Sequence, residues 1–251
     1  MDEKLQIALV ERLIAMADDE LVLAHRNSEW TGHAPILEED IALANLAQDE
    51  LGHATTVYGL IEALTGRSPD QMAMFRDAAN YRNVQLVELP KGDWAFTMLR
   101  QFFFDAYEYV FYEALSQSKY QPLADVIAKF KGEEMYHLRH SHVWVERLGL
   151  GTAESNGRMQ TALDASWSYT AQLFQRMEND YLLLNADYFP DVSLLREPWE
   201  SIVIPHLEAC ELSVPNAVTM LLAGREQHTP YLEEMLADMQ MVARLDPEAE
   251  W

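Results

Sequence analysis

Glutamate stands three residues before histidine twice in this chain, at Glu50 and His53 in "QDELGHATTVY" and at Glu134 and His137 in "GEEMYHLRHSH". Both pairs sit inside long stretches of helical apolar periodicity. Residues three apart on a helix share a face, so each pair presents a carboxylate and an imidazole in one direction. A face that enters a core with such groups must meet partners for them, because an unpaired buried charge costs several kcal/mol. The doubled pattern therefore restricts the chain to folds that bring two such helices face to face.

The rest of the pattern is helical too. "LQIALVERLIAMADDELVLAHR" reads as a first helix over 3–26, broken by "NSEWTGHAPI" with Gly32 and Pro35. A second helix spans 37–65 and closes at Gly66. A polar, irregular stretch from "RSPDQ" to "VELPKG" follows. Asp93 is a good N-cap for a third helix over 93–120, and Pro122 opens a fourth over 122–148, ended by Gly149 or Gly151. Further helices are expected around 155–185, 193–211 and 229–245. No strand-like alternation is long enough for a sheet. The expected fold is all-α, two long helical hairpins followed by a helical C-terminal third, in a single domain over residues 1–251.

Each hairpin's other helix carries an acid at matching depth. Glu20 and Glu50 are equidistant from Pro35, and Glu108 and Glu134 from Gln121. Each half thus supplies a Glu and a Glu-x-x-His at one level of a bundle. Four inward carboxylates and two histidines make the di-iron or di-manganese site of ferritin-like four-helix bundles. The carboxylates would neutralise and bridge two divalent ions, and imidazole is a neutral ligand suited to iron. The expected ligands are Glu20, Glu50, His53, Glu108, Glu134 and His137. Asp105 and Glu113 compete with Glu108 for its place but match the hairpin symmetry less well. Glu133 reads as a solvated neighbour of Glu134. His140 and His142 fit either a ligand role or a polar helix face. "FFFDAYEYVFY" reads as core packing.

With 18 Lys and Arg against 41 Asp and Glu, the net charge is −23, which argues against nucleic acid or anionic lipid as a partner. A single cysteine, Cys210, leaves no internal disulfide. The acidic start lacks signal-peptide character, and no apolar run is long enough to span a membrane, so a cytoplasmic location is expected.

The stretches "LVLAHRNSEWTGHAP", "EEDIALANLAQDELG", "NVQLVELPKGDWAFTMLRQFFFDAY" and "YHLRHSHVWVERLGLGTAE" resemble the ferritin-like C subunits of ring-epoxidising phenylacetyl-CoA oxygenases, across most of the chain and on to "EMLADMQ". The resemblance implies a ferritin-like bundle with extra C-terminal helices, in a multicomponent monooxygenase. That enzyme makes a ring 1,2-epoxide from phenylacetyl-CoA with dioxygen and electrons from an NADPH-dependent reductase, and it includes a small B subunit. The C subunit, with incomplete ligand positions, is in that picture the structural partner of a sister A subunit, which holds the catalytic di-iron. Here all six positions are filled, a departure from that pattern. Two roles follow: a partner subunit that carries a metal, with turnover resting mainly on the A subunit, or an independently active di-iron monooxygenase or oxidase. Trp167, Trp199 and Trp251 in the C-terminal third are candidate interface anchors, although core packing would explain Trp167 and Trp199 as well.

Overall fold

The computed structural model describes residues 1–215 and 219–249, and every regular element among them is helical. Helices α1 (Glu3–Ser28) and α2 (Leu37–Thr65) form the first hairpin. A crossover carries the short α3 (Pro69–Met74) and α4 (Gln85–Glu88). The second hairpin is α5 (Trp94–Leu115) and α6 (Gln121–Gly149). Around these four long helices pack α7 (Ala153–Ser166), α8 (Asp180–Asn185), α9 (Arg196–Ala209), α10 (Pro230–Met239) and α11 (Met241–Leu245). This is the all-α, ferritin-like arrangement: two hairpins joined by one long crossover.

Local chemistry sets the helix ends. The Asp2 carboxylate accepts from the Leu5 N–H at 2.8 Å and starts α1. Gly66, at φ +78°, ends α2 in the left-handed region and donates its N–H to Glu62 O at 2.7 Å. The Asp93 carboxylate accepts from the Phe96 N–H at 2.9 Å and starts α5. Pro122 lies in the first turn of α6. No helix among the described residues is long and apolar enough to cross a membrane.

Tertiary contacts override local periodicity in four places. α5 stops at Leu115, not 120, because the next turn is captured from outside. The Lys119 N–H donates to Asp187 O at 2.8 Å and Ser118 Oγ to Tyr188 O at 2.7 Å. The helix expected over 155–185 is divided by a 3-10 stretch, Trp167–Phe174, whose aromatic ends pack against Trp199 at 5.7 and 5.4 Å between ring centroids. The crossover is far from a solvated loop: Tyr81, Val84, Leu86 and Val87 are buried in it. Two acids on α1 hold it. Asp18 accepts from the Arg82 N–H at 2.8 Å and from Arg76, and Asp19 accepts from the Val84 N–H at 2.7 Å. Finally, Trp167 and Trp199 are not interface anchors. They are 5% and 1% exposed, and Trp199 Nε1 donates to Phe103 O at 2.9 Å, so both belong to the core. Trp251 lies outside the described residues.

Candidate metal centre

All six expected ligands point into the bundle, none more than 3% exposed. α1 supplies Glu20, α2 supplies Glu50 and His53, α5 supplies Glu108, and α6 supplies Glu134 and His137. Glu134 lies between the two imidazoles. Its Oε1 is 3.3 Å from His53 Nδ1 and 3.4 Å from His137 Nδ1. Glu20 Oε1 also approaches His53 Nδ1, at 3.4 Å. The donor atoms of Glu20, His53 and Glu134 all lie within 4.8 Å of one another, as do those of Glu50, Asp105 and His137, and those of Asp105, Glu108 and Glu134. Two of these groups are joined by the third, through Glu134 and Asp105.

Several of these atoms have no partner within the protein. Glu20 Oε2, Glu108 Oε2, both oxygens of Glu134, and Nδ1 of His53 and of His137 are buried without a hydrogen bond. Buried polar atoms are almost always paired, so six orphans in one cluster need an explanation. Carboxylate oxygens and imidazole nitrogens aimed together are the donor set of a divalent cation. The arrangement fits two ions that share Glu134.

The outer nitrogens of the two histidines are also spoken for. His53 Nε2 lies 2.7 Å from Glu133 Oε2, and His137 Nε2 lies 3.3 Å from Asp49 Oδ2. In each motif the acid preceding the glutamate holds the imidazole of the other motif. With Nε2–H donated outward, a metal that displaces the Nδ1 proton would meet an inward-facing lone pair. Phe130 stacks on the His53 ring at 3.8 Å and fixes its plane.

Glu50 departs from the expected symmetry. Asn27 Nδ2 donates to its Oε1 and Oε2 at 3.1 and 2.9 Å, and Gln101 Nε2 donates to Oε1 at 2.8 Å. Gln101 also donates to Asp105 Oδ1 at 2.6 Å, and Ser141 Oγ donates to Asp105 Oδ2 at 2.6 Å. Glu50 is therefore grouped with Asp105 and His137, not with Glu20.

The charges follow from burial and company. Burial pushes Glu50 and Asp105 each up to about 8, against the pull of His137. Burial, with repulsion from Glu134 and Glu20, holds Glu108 well above its ordinary value. For the histidines burial opposes the charge but loses. Glu20 and Glu134 raise His53 to about 11, and Glu134 and Asp49 raise His137 to about 12. Glu134 is the converse: burial resists its ionisation, yet His137 and His53 hold it well below the carboxylate range. The Tyr112 hydroxyl reaches both Glu20 and Glu108, the latter at 2.8 Å. It has one proton to give, so its second contact requires a protonated carboxyl, which Glu108 provides.

Asp105 does not replace Glu108; both are in the cluster. The two are three apart on α5 and share a face, so hairpin depth could not decide between them. Glu113 is outside, paired with Lys131 at 2.5 Å. Glu133 is half exposed yet holds His53, so it is more than a solvated neighbour. His140 pairs with Glu39 at 2.7 Å, and His142 stacks on His206 at 3.3 Å. Neither reaches the centre. The aromatic stretch of α5 is core, as read: Phe102, Phe103, Phe104, Tyr107, Phe111 and Tyr112 are all buried. Asn27, Gln101, Tyr112 and Ser141 escaped sequence reasoning. For Gln101 and Tyr112 the one signal is a polar residue a turn away from an acid on an apolar face; Asn27 and Ser141 stand two turns from Glu20 and Glu134.

Two comparisons bear on this centre. Over 240 residues, 95% of this chain and 97% of the relative, it is 39% identical to the C subunit of the 1,2-phenylacetyl-CoA epoxidase of Escherichia coli K12. Over 175 residues, 69% of this chain and 56% of the relative, it is 24% identical to the A subunit of the same enzyme. The family model described as phenylacetic acid catabolic protein matches residues 1–251. On a match over its whole length, this chain belongs to the phenylacetic acid catabolic protein family.

Proposed function

We propose that this chain is the C-type subunit of an oxygenase that epoxidises the aromatic ring of phenylacetyl-CoA in phenylacetate degradation. It carries a dinuclear metal site and acts as the structural partner of the A-type subunit. The identity to a C subunit, over nearly the full length of both chains, supports the assignment. The observation that carries the metal is the set of six orphaned donor atoms. Glu20, His53 and Glu134 would hold one ion. Asp105, His137 and Glu50 would hold the other, with Glu108 beside Glu134. Iron fits the carboxylate–imidazole set best, and manganese is the next candidate. A pair of iron ions there would supply electrons to dioxygen. Asn27 and Gln101 orient Glu50, Glu133 and Asp49 fix the imidazoles, and Tyr112 holds a proton between Glu20 and Glu108.

The partner role, rather than independent turnover, is favoured by space. The cavity that touches Glu108 and Tyr112, lined also by Arg12, Phe104 and Phe111, holds about 10 Å³. That admits a single water. Pockets for organic ligands run to about 300–1,000 Å³. That cavity is too small to seat an arene beside Glu108. Net charge points the same way, because coenzyme A is polyanionic and this chain is at −23. Large apolar side chains left exposed on α2 and α6, among them Ile41, Leu51, Met135 and Tyr136, offer contact area to the A-type subunit. The assembly is completed by an NADPH-dependent reductase and a small B subunit.

The test is co-expression with the A-type subunit, size-exclusion chromatography and metal analysis of each separated chain. Co-elution at micromolar concentration and close to two irons in this chain after anaerobic reconstitution are expected. Clean separation of the chains would sink the partner role, and a chain that takes up neither iron nor manganese would sink the metal site.

A further inference from the structure

The polar layer of the metal centre separates a small apolar cluster from the main core. It contains Trp30, Leu43, Leu46 and Met98, with Trp94 and Trp144 packed against it. Three indoles are in series there. Trp30 and Trp94 meet edge to face at 5.0 Å between centroids, and Trp94 and Trp144 do so at 5.3 Å. One end of the series approaches the centre along α5: the Trp30 indole N–H donates to Thr97 Oγ1 at 2.9 Å, and Gln101, one turn on from Thr97, donates to Glu50 and Asp105. The other end, Trp144 on α6, is only partly buried.

We propose that Trp30, Trp94 and Trp144 form a one-electron relay between the metal centre and the protein surface, an inference that rests on the metal reading above. Indole is among the most easily oxidised side chains, and rings in contact exchange electrons readily. The flanking cations give the relay a low point. Lys91 Nζ lies 4.9 Å over Trp30 and the Arg147 guanidinium 5.4 Å over Trp144. A cation over a ring stabilises the neutral indole and disfavours its oxidised form. Among the described residues no cation lies over Trp94, so an electron vacancy that enters at Trp30 settles on Trp94. In the balanced step, a peroxide-derived oxidant in the centre gains one electron from Trp30. Trp94 refills Trp30 and is left one electron short, releasing its indole proton to water. A one-electron donor such as ascorbate, reaching the chain through Trp144, then restores Trp94 with an electron and a proton.

The chain loaded with ferrous iron and treated with one equivalent of hydrogen peroxide tests this by peptide mass spectrometry. Hydroxytryptophan and kynurenine are expected at Trp94 several-fold above Trp167 and Trp199. Trp30→Phe keeps an aromatic ring and should keep the iron content, but it should lower Trp94 oxidation several-fold. The same Trp94 modification in Trp30→Phe, or in metal-free chain, would overturn the relay. A second arm needs no metal. A ruthenium(III) polypyridyl oxidant generated by a laser flash should yield a tryptophan radical in the metal-free chain, and Trp94→Phe should cut that yield to a minor fraction. An unchanged yield overturns the proposal. Should the chain fail to bind iron, the metal reading falls, and this second arm alone decides the relay.

Discussion

Glu50 and Glu134 hold the same place in the duplicated motif, yet the two halves of the bundle treat them in opposite ways. Both oxygens of Glu50 accept hydrogen bonds from Asn27 or Gln101, and burial pushes its carboxyl up to about 8. Both oxygens of Glu134 lack hydrogen-bond partners, and two imidazoles hold it ionised. The Glu-x-x-His spacing determines where the side chains are. The neighbours on the other helices determine what charge they carry. A two-fold sequence pattern has become an asymmetric centre, in which the second half supplies the anion at the middle and the first supplies a carboxyl held by amides.

The largest consequence is for Glu134. Glu134→Gln removes the anion shared by His53 and His137. Leaving buried cationic groups unpaired costs about 3–5 kcal/mol. The metal-free variant should melt well below the parent in calorimetry, and iron uptake by the reconstituted chain should fall to a trace. Parental iron content in this variant would break the assignment of Glu134 as the shared ligand. The two outer acids come next. Loss of a carboxylate that orients a metal-bound histidine lowers affinity by about 10–100-fold. Glu133→Ala should sit at the upper end and Asp49→Ala at the lower, because their contacts are 2.7 and 3.3 Å. Competitive chelator titration measures both, and equal losses would mean that the cross-pairing is symmetric in strength.

The pH response of the metal-free chain has a definite sign. Glu50 and Asp105 bind protons in the folded state up to about pH 8, whereas the unfolded chain releases them near 4. Groups with raised values contribute stability that is present below the unfolded pKa and lost as pH rises through the folded one. His53 and His137 extend the same trend, since their folded values are about 11 and 12. The metal-free chain should therefore be more stable at pH 6 than at pH 8, by at least about 5 °C in Tm. Glu134 acts oppositely, its value being depressed, and its contribution is lost only as pH falls below the carboxylate range. Metal displaces the protons, so ion affinity should rise over the same interval. A calorimetric pH series on both forms checks the sign, and a metal-free chain more stable at pH 8 would contradict the buried protonated carboxyls.

The four long helices were legible because their causes are local: apolar periodicity, Asp93 as a cap, Gly66 as a stop. The six residues at one level were legible because hairpin geometry converts sequence distance into depth. Asp105, Asn27, Gln101 and Tyr112 were not, since their roles depend on how far each helix is rotated about its own axis. Three consecutive acids on α1 make the point. Asp18 and Asp19 turn to the crossover and find Arg76 and Arg225, while Glu20 turns to His53. Nothing in "ADDEL" separates them. The same holds for Trp167 and Trp199, whose burial depends on the packing of α9 against α5.

The smallest expected effect tests the asymmetry most directly. If Glu50 is largely protonated at neutral pH, Glu50→Gln exchanges one neutral group for another of nearly equal shape. Asn27 and Gln101 donate to Glu50 Oε1, bonds that the amide oxygen of glutamine can accept, and only the second contact of Asn27, to Oε2, is lost. The metal-free variant should then lose less than about 1 kcal/mol, within the range of volume-conserving changes. It should also lose the part of the stability fall between pH 6 and pH 8 that Glu50 contributes, whereas Glu134→Gln should reduce the part that His53 and His137 contribute. With metal added, Glu50→Gln should keep the ion held by Glu20, His53 and Glu134 and weaken the one grouped with Asp105 and His137. Uptake should fall toward one ion per chain instead of to none. If Glu50→Gln and Glu134→Gln lose iron equally, the two halves are equivalent once metal is bound. The amide clamp on Glu50 is then a feature of the metal-free chain alone.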